Sequence, residues 1–151
     1  MAAKAIPEGY HSVTPYLIVD RAEEAIRWYC AAFGAETLLT MPMGDKIGHA
    51  EIRIGDSVIM LSDEWPDHGM LGPKARGGPT SSLMIYVEDS DAAFDRAVKA
   101  GATAERPVQD QFYGDRSGTL LDPFGHRWTI ATHVEDVDEA ELRKRMAEFT
   151  G

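Results

Sequence analysis

The chain repeats one order of hydrophobic patterns twice. In the first copy, residues 11–19 are rich in β-branched and aromatic residues and predict a strand. Apolar residues then recur at helical spacing over 22–33, and Gly34 stands where a helix end favours a left-handed residue. Asp20 followed by Glu23 has the spacing of a capping box and predicts the start of this helix. A βαβββ order is completed by strands predicted over 36–41, 47–54 and 57–62.

The second copy follows the same order. Residues 82–87 predict a strand, and Asp89 or Ser90 is the expected cap of a helix that ends at Gly101. Residues 102–105 begin a strand that Pro107 interrupts or restricts to a sheet edge, because proline cannot donate to the ladder. The last two strands are expected on either side of a turn at 122–125, over residues 116–121 and 127–133.

The segment between the copies has a different composition. Residues 63–80 hold four Gly and three Pro without periodicity, which is typical of a linker or a mobile loop that could close on a ligand. The predicted organisation is an extension at 1–9, a first module at 10–63, a linker or lid at 64–80, a second module at 81–136 and a C-terminal helix at 137–151.

Tandem modules of this kind predict an α+β fold with a pocket. Four strands and one helix leave one face of each sheet uncovered, so the second copy is the expected partner of the first. Two such sheets would form a U-shaped mixed sheet around a concave space, where ligands usually bind. The alternative is that the two halves pack together for stability alone.

Composition narrows the classes of partner. The chain has 15 Lys and Arg against 25 Asp and Glu, a formal net charge of −10, which works against nucleic acid and anionic membranes. The one cysteine, Cys30, cannot form an intramolecular disulfide, so a reducing compartment is expected. No long apolar run or signal peptide is visible, and we expect a soluble cytoplasmic protein. Phosphate loops and hydrolase motifs are absent from the sequence.

Three segments of the chain carry a family resemblance: TPYLIVDRAEEAIRWYCAAFGAE, GDSVIMLSDE and YGDRSGTLLDPFGHRWTIATHVEDV. Over residues 10–136 the chain resembles the vicinal-oxygen-chelate superfamily of glyoxalase I, extradiol dioxygenases and the fosfomycin and bleomycin resistance proteins. Within it, the segments are most similar to the PhnB-like branch. The resemblance implies paired βαβββ modules and a homodimer.

The resemblance also makes a prediction about metal. Metal-dependent members place His or Glu at four equivalent strand positions, which fall in this chain on Thr14, Met60, Ser82 and Thr129. Hydroxyls are weak neutral ligands, and a thioether suits soft ions rather than Mg, Mn or Zn. We therefore expect neither a metal at these positions nor any other cofactor.

Pocket residues follow from the hairpin at Gly55 and Asp56. A two-residue loop pairs Glu51 with Met60, so His49, Glu51 and Arg53 would share a face with Met60. Glu51 is the candidate general base or ligand anchor, although it could also form a plain surface ion pair with Arg53. The remaining pocket candidates are Ser62, Ser82, Tyr113, Arg116 and Thr129.

Three functions remain open at this point. The first is a metal-free protein that binds a small planar or anionic molecule in the pocket between the modules. The alternative is a lyase, isomerase or dioxygenase that uses a divalent metal relocated to His49 and Glu51. A third is an interaction domain with no ligand.

Overall fold

The computed structural model describes residues 2–149 of the chain. The chain divides into two compact units. The first contains the residues up to 80 together with 123–126, and the second contains 81–122 and the residues from 127 onward.

The first unit is a βαβββ module. Its sheet has the order β1-β4-β3-β2, in which β1 runs parallel to β4 and the other pairs are antiparallel. Its elements are β1 (Tyr16–Val19), α1 (Ala22–Phe33), β2 (Glu36–Met43), β3 (Lys46–Ile54) and β4 (Ser57–Asp63).

The second unit repeats the module and adds a helix. Its sheet has the order β5-β8-β7-β6, again with the first strand parallel to the fourth. Its elements are β5 (Ser82–Tyr86), α2 (Ser90–Lys99), β6 (Thr103–Asp110), β7 (Asp115–Leu121), β8 (Arg127–His133) and α3 (Glu139–Glu148). The predicted α+β class with tandem βαβββ modules is confirmed.

The start of α1 differs from the prediction. Arg21 is the N-cap and makes no side-chain cap bond, so the capping box at Asp20 is wrong. The helix start is instead bound by Asp63 at the end of β4, whose Oδ1 accepts from the Ala22 amide at 2.9 Å. Its Oδ2 accepts from the Ile47 amide at 2.7 Å, so one buried carboxylate joins the helix to two strands.

Strand β1 is shorter than predicted and begins at Tyr16 rather than at residue 11. Pro15 precedes it and has no N–H to donate to a ladder, although its carbonyl accepts from the Met60 amide. The end of α1 agrees with the prediction, since Gly34 adopts φ 67° as its C-cap. Pro107 lies in β6, which is an edge strand as predicted.

Helices α1 and α2 each cover one face of the sheet in their own module. In the first module the covered face is lined by buried apolar residues at alternate strand positions: Leu17, Val19, Ala50, Ile52, Ile54, Ile59 and Leu61. In the second, Gly118 of β7 allows close approach of α2, because a Cβ there would lie 2.9 Å from a Phe94 ring carbon. The opposite side of each sheet, which no helix of its own module covers, is called the open face below.

The segment after β4 has local structure of its own. Pro66–His68 forms a single 3-10 turn, and Trp65 and Met70 pair as an isolated bridge. The Lys46 ammonium lies 4.7 Å from the centre of the Trp65 ring and also donates to the Glu64 carbonyl. These contacts hold the start of the segment against β3. Its action as a lid stays a prediction.

None of the helices described between residues 2 and 149 is long and apolar enough to cross a membrane.

Candidate functional site

The open face of the first sheet carries the polar residues that the hairpin predicted. Glu51 pairs with Met60, and Ile54 pairs with Ser57. Burial alternates along β3, so that His49, Glu51 and Arg53 are only partly buried while Ala50, Ile52 and Ile54 are buried against the helix. An imidazole, a carboxylate and a guanidinium therefore stand in a row on the open face.

A hydrogen-bonded chain joins two of these groups to a tyrosine. The Tyr16 hydroxyl lies 2.9 Å from Nδ1 of His49, and Nε2 of His49 lies 2.8 Å from Oε2 of Glu51. The Glu51 side chain is 13% exposed and that of His49 is 26% exposed, so neither is freely solvated. Tyr16 reaches them from β1, because β1 pairs with β4 in parallel and sets Tyr16 beside Met60.

With Glu51 ionised and His49 neutral, the chemistry of the three groups allows one direction for these bonds. An ionised carboxylate only accepts hydrogen bonds, so Nε2 of His49 carries the proton that it donates to Glu51. A neutral imidazole protonated at Nε2 has an acceptor at Nδ1, which takes the Tyr16 hydroxyl proton. Glu51 thus sets the tautomer of His49, and His49 orients the hydroxyl of Tyr16.

Apolar side chains flank the chain of hydrogen bonds. Leu39 of β2 lies opposite Glu51, and Met41 lies opposite His49. Directly opposed residues point to the same face, so both side chains stand on the open face, where they are 42% and 53% exposed. Together with Met60 they give the polar centre an apolar border, which is the usual composition of a small-molecule site.

The open face of the second sheet carries a different constellation. Asp115 accepts from the Tyr86 hydroxyl at 2.8 Å and contacts Nδ1 of His133 at 2.9 Å, while Asp136 contacts Nε2 at 2.7 Å. The hydrogen bond to Asp115, followed by burial, raises the pKa of Tyr86 above its usual value. Hydrogen bonds to Asp115 and then Asp136 raise the pKa of His133. With a carboxylate on each ring nitrogen, the imidazolium form of His133 is favoured, because it can donate to both.

The other predicted pocket residues are dispersed. Ser62 shares the face of Met60 by strand alternation, but it is fully buried and its hydroxyl donates to the Asp63 carbonyl. Ser82 is exposed opposite Arg127, and the Thr129 hydroxyl lies 3.2 Å from that of Thr119. Tyr113 lies outside the strands, on a groove of about 590 Å3 beside α3 lined by Phe112, Tyr113, Leu142, Arg143, Met146 and Ala147.

The prediction that Arg116 borders the pocket is wrong. Its guanidinium donates twice to the Asp91 carboxylate of α2, at 2.7 and 3.0 Å, and once to Asp110 at 3.2 Å. Arg116 therefore points to the helix-covered side of β7, together with Gly118. The bond to Arg116 holds the pKa of Asp91 below its usual value. The error comes from the alternation of side chains along β7. Asp115 pairs with His133 and shares its open face, so the next residue, Arg116, points to the opposite face.

The donor set does not fit the metal that the resemblance implies. The four equivalent positions carry two threonines, a serine and a methionine: Thr14, Met60, Ser82 and Thr129. Over residues 2–149 no group of three His, Cys, Asp or Glu side chains is placed to hold a metal ion. A relocated site at His49 and Glu51 also fits poorly, because both ring nitrogens of His49 are already hydrogen-bonded.

Two residues of these constellations were missed from the sequence. Tyr16 was assigned only to a strand, because its position beside His49 depends on the parallel pairing of β1 with β4, which no local pattern shows. Asp115 was not among the predicted pocket residues. Side chains alternate between the two faces of a strand, and this alternation located Glu51. Applied to the hairpin of β7 and β8, the same rule places Asp115 opposite His133 and on the same face.

Comparison with known proteins identifies the family. The model of the glyoxalase/bleomycin resistance protein/dioxygenase superfamily matches residues 9–130. The chain belongs to this superfamily. A Mycobacterium bovis relative, the uncharacterized protein Mb0911c, is 39% identical over 142 residues, covering 90% of this chain and 92% of its own length.

Solved structures share the superfamily fold. TioX from Micromonospora sp. ML1 is 25% identical and superposes with a TM-score of 0.63, over 85% of this chain and all of its own. A PhnB protein from Bacillus cereus is 19% identical with a TM-score of 0.63, over 81% of this chain and 99% of its own. At that identity the likeness to the PhnB protein concerns the fold alone.

Proposed function

We propose that this superfamily member binds a small planar or anionic molecule at the open face of its first sheet, without a metal ion. The observation that carries the proposal is the hydrogen-bonded chain of Tyr16, His49 and Glu51 within an apolar border. Aromatic and thioether side chains offer flat, polarizable contacts to a ring, and the polar centre fixes its orientation.

Arg53 supplies the positive charge for an anionic group. It stands two residues from Glu51 on the same face, about 7 Å along the strand. Its contact with Glu36 is 3.6 Å long between side chains that are 38% and 69% exposed. Exposed ion pairs of this kind contribute at most about 1 kcal/mol, so a ligand carboxylate can replace Glu36 at little cost.

The net charge of the chain limits the kind of anion. A formal charge of −10 repels polyanions, so one local guanidinium favours a ligand with a single acidic group. An aromatic carboxylate or an acidic phenol combines that group with a flat apolar body. We take this as the substrate or ligand class of the site.

The metal-dependent alternative has less support. A divalent ion at His49 would displace either the hydroxyl of Tyr16 or the carboxylate of Glu51 from the ring. The homodimer that the resemblance implies stays a prediction, which sedimentation of the purified chain would test.

A calorimetric titration with benzoate and 4-nitrophenol tests the proposal. Arg53→Gln removes the guanidinium and should weaken benzoate binding about tenfold, since a hydrogen bond to a charged group contributes about 1.5–3 kcal/mol. The matched control is Arg127→Gln, which removes an arginine of similar exposure from the second sheet, where it pairs with Glu105. The control should leave the affinity unchanged.

Two results would contradict the proposal. One is the absence of binding by both compounds. The other is an equal loss of affinity in the Arg53 and Arg127 variants, since the ligand would then lie elsewhere or respond to net charge alone.

A further inference from the structure

The hydroxyl of Tyr16 is directed by its contact with His49. When a neutral His49 accepts its proton at Nδ1, the lone pairs of the Tyr16 oxygen remain for a group on the open face. Tyr16 as a whole is 43% exposed, so a ligand can reach this oxygen. A tyrosine in this arrangement accepts a hydrogen bond from a ligand more readily than it donates one.

We propose that Tyr16, His49 and Glu51 form a proton relay that takes the proton of an acidic ligand hydroxyl, a phenol or an enol, and holds the ligand as its anion. The inference rests on the proposed function, because it assigns the chemistry of the same site. It narrows the ligand class to planar molecules whose acidic group is a hydroxyl.

The proton transfer balances within the three residues and the ligand. The ligand O–H bond breaks and its proton forms a new bond to the Tyr16 oxygen. The original Tyr16 proton moves to Nδ1 of His49, across the 2.9 Å hydrogen bond. The products are a ligand anion that accepts from Tyr16 and an imidazolium that donates to Glu51 across 2.8 Å. No bond to carbon changes, and no oxidant or cofactor takes part.

The surroundings stabilise the charges that this transfer creates. The imidazolium forms against the carboxylate of Glu51, which is 13% exposed and therefore interacts with it more strongly than in water. The ligand anion forms on the face that carries Arg53. Each new charge thus has an opposite charge in place before the proton moves, so little reorganisation is needed.

The second module provides an internal control. Its Tyr86 hydroxyl donates to Asp115, and both ring nitrogens of His133 contact carboxylates. A histidine that already carries two protons has no nitrogen left to accept another. Tyr86 and His133 therefore cannot act as a relay, although they resemble Tyr16 and His49 in residue type and in their place on an open face.

The experiment uses 4-nitrophenol, whose anion absorbs at longer wavelength than its neutral form. The intact protein is titrated at a pH at which the dissolved probe is mostly neutral, with binding followed by calorimetry and ionisation by absorbance. We expect bound probe to show the absorption of the nitrophenolate anion. Tyr16→Phe and Glu51→Gln should each lower the bound anion fraction about tenfold, one by breaking the relay and the other by removing the partner of the imidazolium.

Controls separate this role from a structural one. Tyr86→Phe should leave the ionisation of the bound probe unchanged. Nitrogen NMR of His49 should show a neutral ring protonated at Nε2 without probe and an imidazolium with it. Thermal unfolding of each variant checks that the fold is retained.

The outcomes distinguish the two proposals. Bound probe that stays neutral, or that ionises equally in Tyr16→Phe, overturns the relay and leaves the proposed binding site standing. Absence of binding by 4-nitrophenol overturns the relay, and if benzoate also fails to bind, the proposed function falls with it.

Discussion

The two histidines on the open sheet faces differ in what their ring nitrogens contact. His49 lies between a phenol hydroxyl and a carboxylate, so one nitrogen donates and the other accepts. His133 lies between two carboxylates, so both nitrogens donate. The partners, rather than the residue type, allow a neutral His49 to accept a proton and favour the charged form of His133.

The contacts of His133 with two carboxylates predict a pH dependence of stability. Because the pKa of His133 is raised in the folded protein, its contribution is fully present below the unfolded value of about 6.5 and is lost as pH rises through the folded value. His133→Gln should therefore reduce the free energy of unfolding at pH 5.5 more than at pH 8.5. Urea unfolding at the two pH values measures this, with the exposed His68→Gln as the control. An equal loss at both pH values would contradict the assignment.

At the scale of elements, local sequence patterns predicted helices, strands and hairpin registers, but they did not predict contacts between segments that are distant in the chain. The two-residue turn at Gly55 set the register of β3 against β4, and that register placed His49 and Glu51 correctly on one face. Tyr16 was missed because β1 joins β4 through a parallel pairing between segments far apart in the chain. The start of α1 was misassigned for the same reason, since its amide partner Asp63 lies on β4.

The hydrogen bonds of Asp63 to α1 and β3 should contribute measurably to stability. Asp63→Ala would leave the buried amides of Ala22 and Ile47 without an acceptor and should lower the free energy of unfolding by about 2–3 kcal/mol. Asp56→Ala is the matched control, because that carboxylate lies in an exposed turn and accepts from the neighbouring Ser57 hydroxyl. Its cost should stay below about 1 kcal/mol. Chemical denaturation measures both variants. Equal losses would show that Asp63 does not join α1 to the sheet.

At the scale of the whole molecule, the repeated pattern in the sequence predicted the tandem modules but not how they differ. Both modules place a tyrosine from their first strand on an open face. In the first module this tyrosine contacts a histidine beside an apolar border, and in the second it donates to a carboxylate. Arg116 was expected on the open face but lies on the helix-covered face. A shift of one residue along a strand is enough to move a side chain from one face to the other, and the repeated pattern does not set this shift. We therefore place the proposed site in the first module.

A titration of isotopically labelled protein with 4-nitrophenol, followed by amide proton and nitrogen NMR, tests this claim most directly. The account predicts that the largest shift changes fall on β1, β3 and β4, around Tyr16, His49, Glu51 and Met60. Changes concentrated on β5, β7 and β8, or on the groove beside α3, would contradict it and place the ligand in the second module.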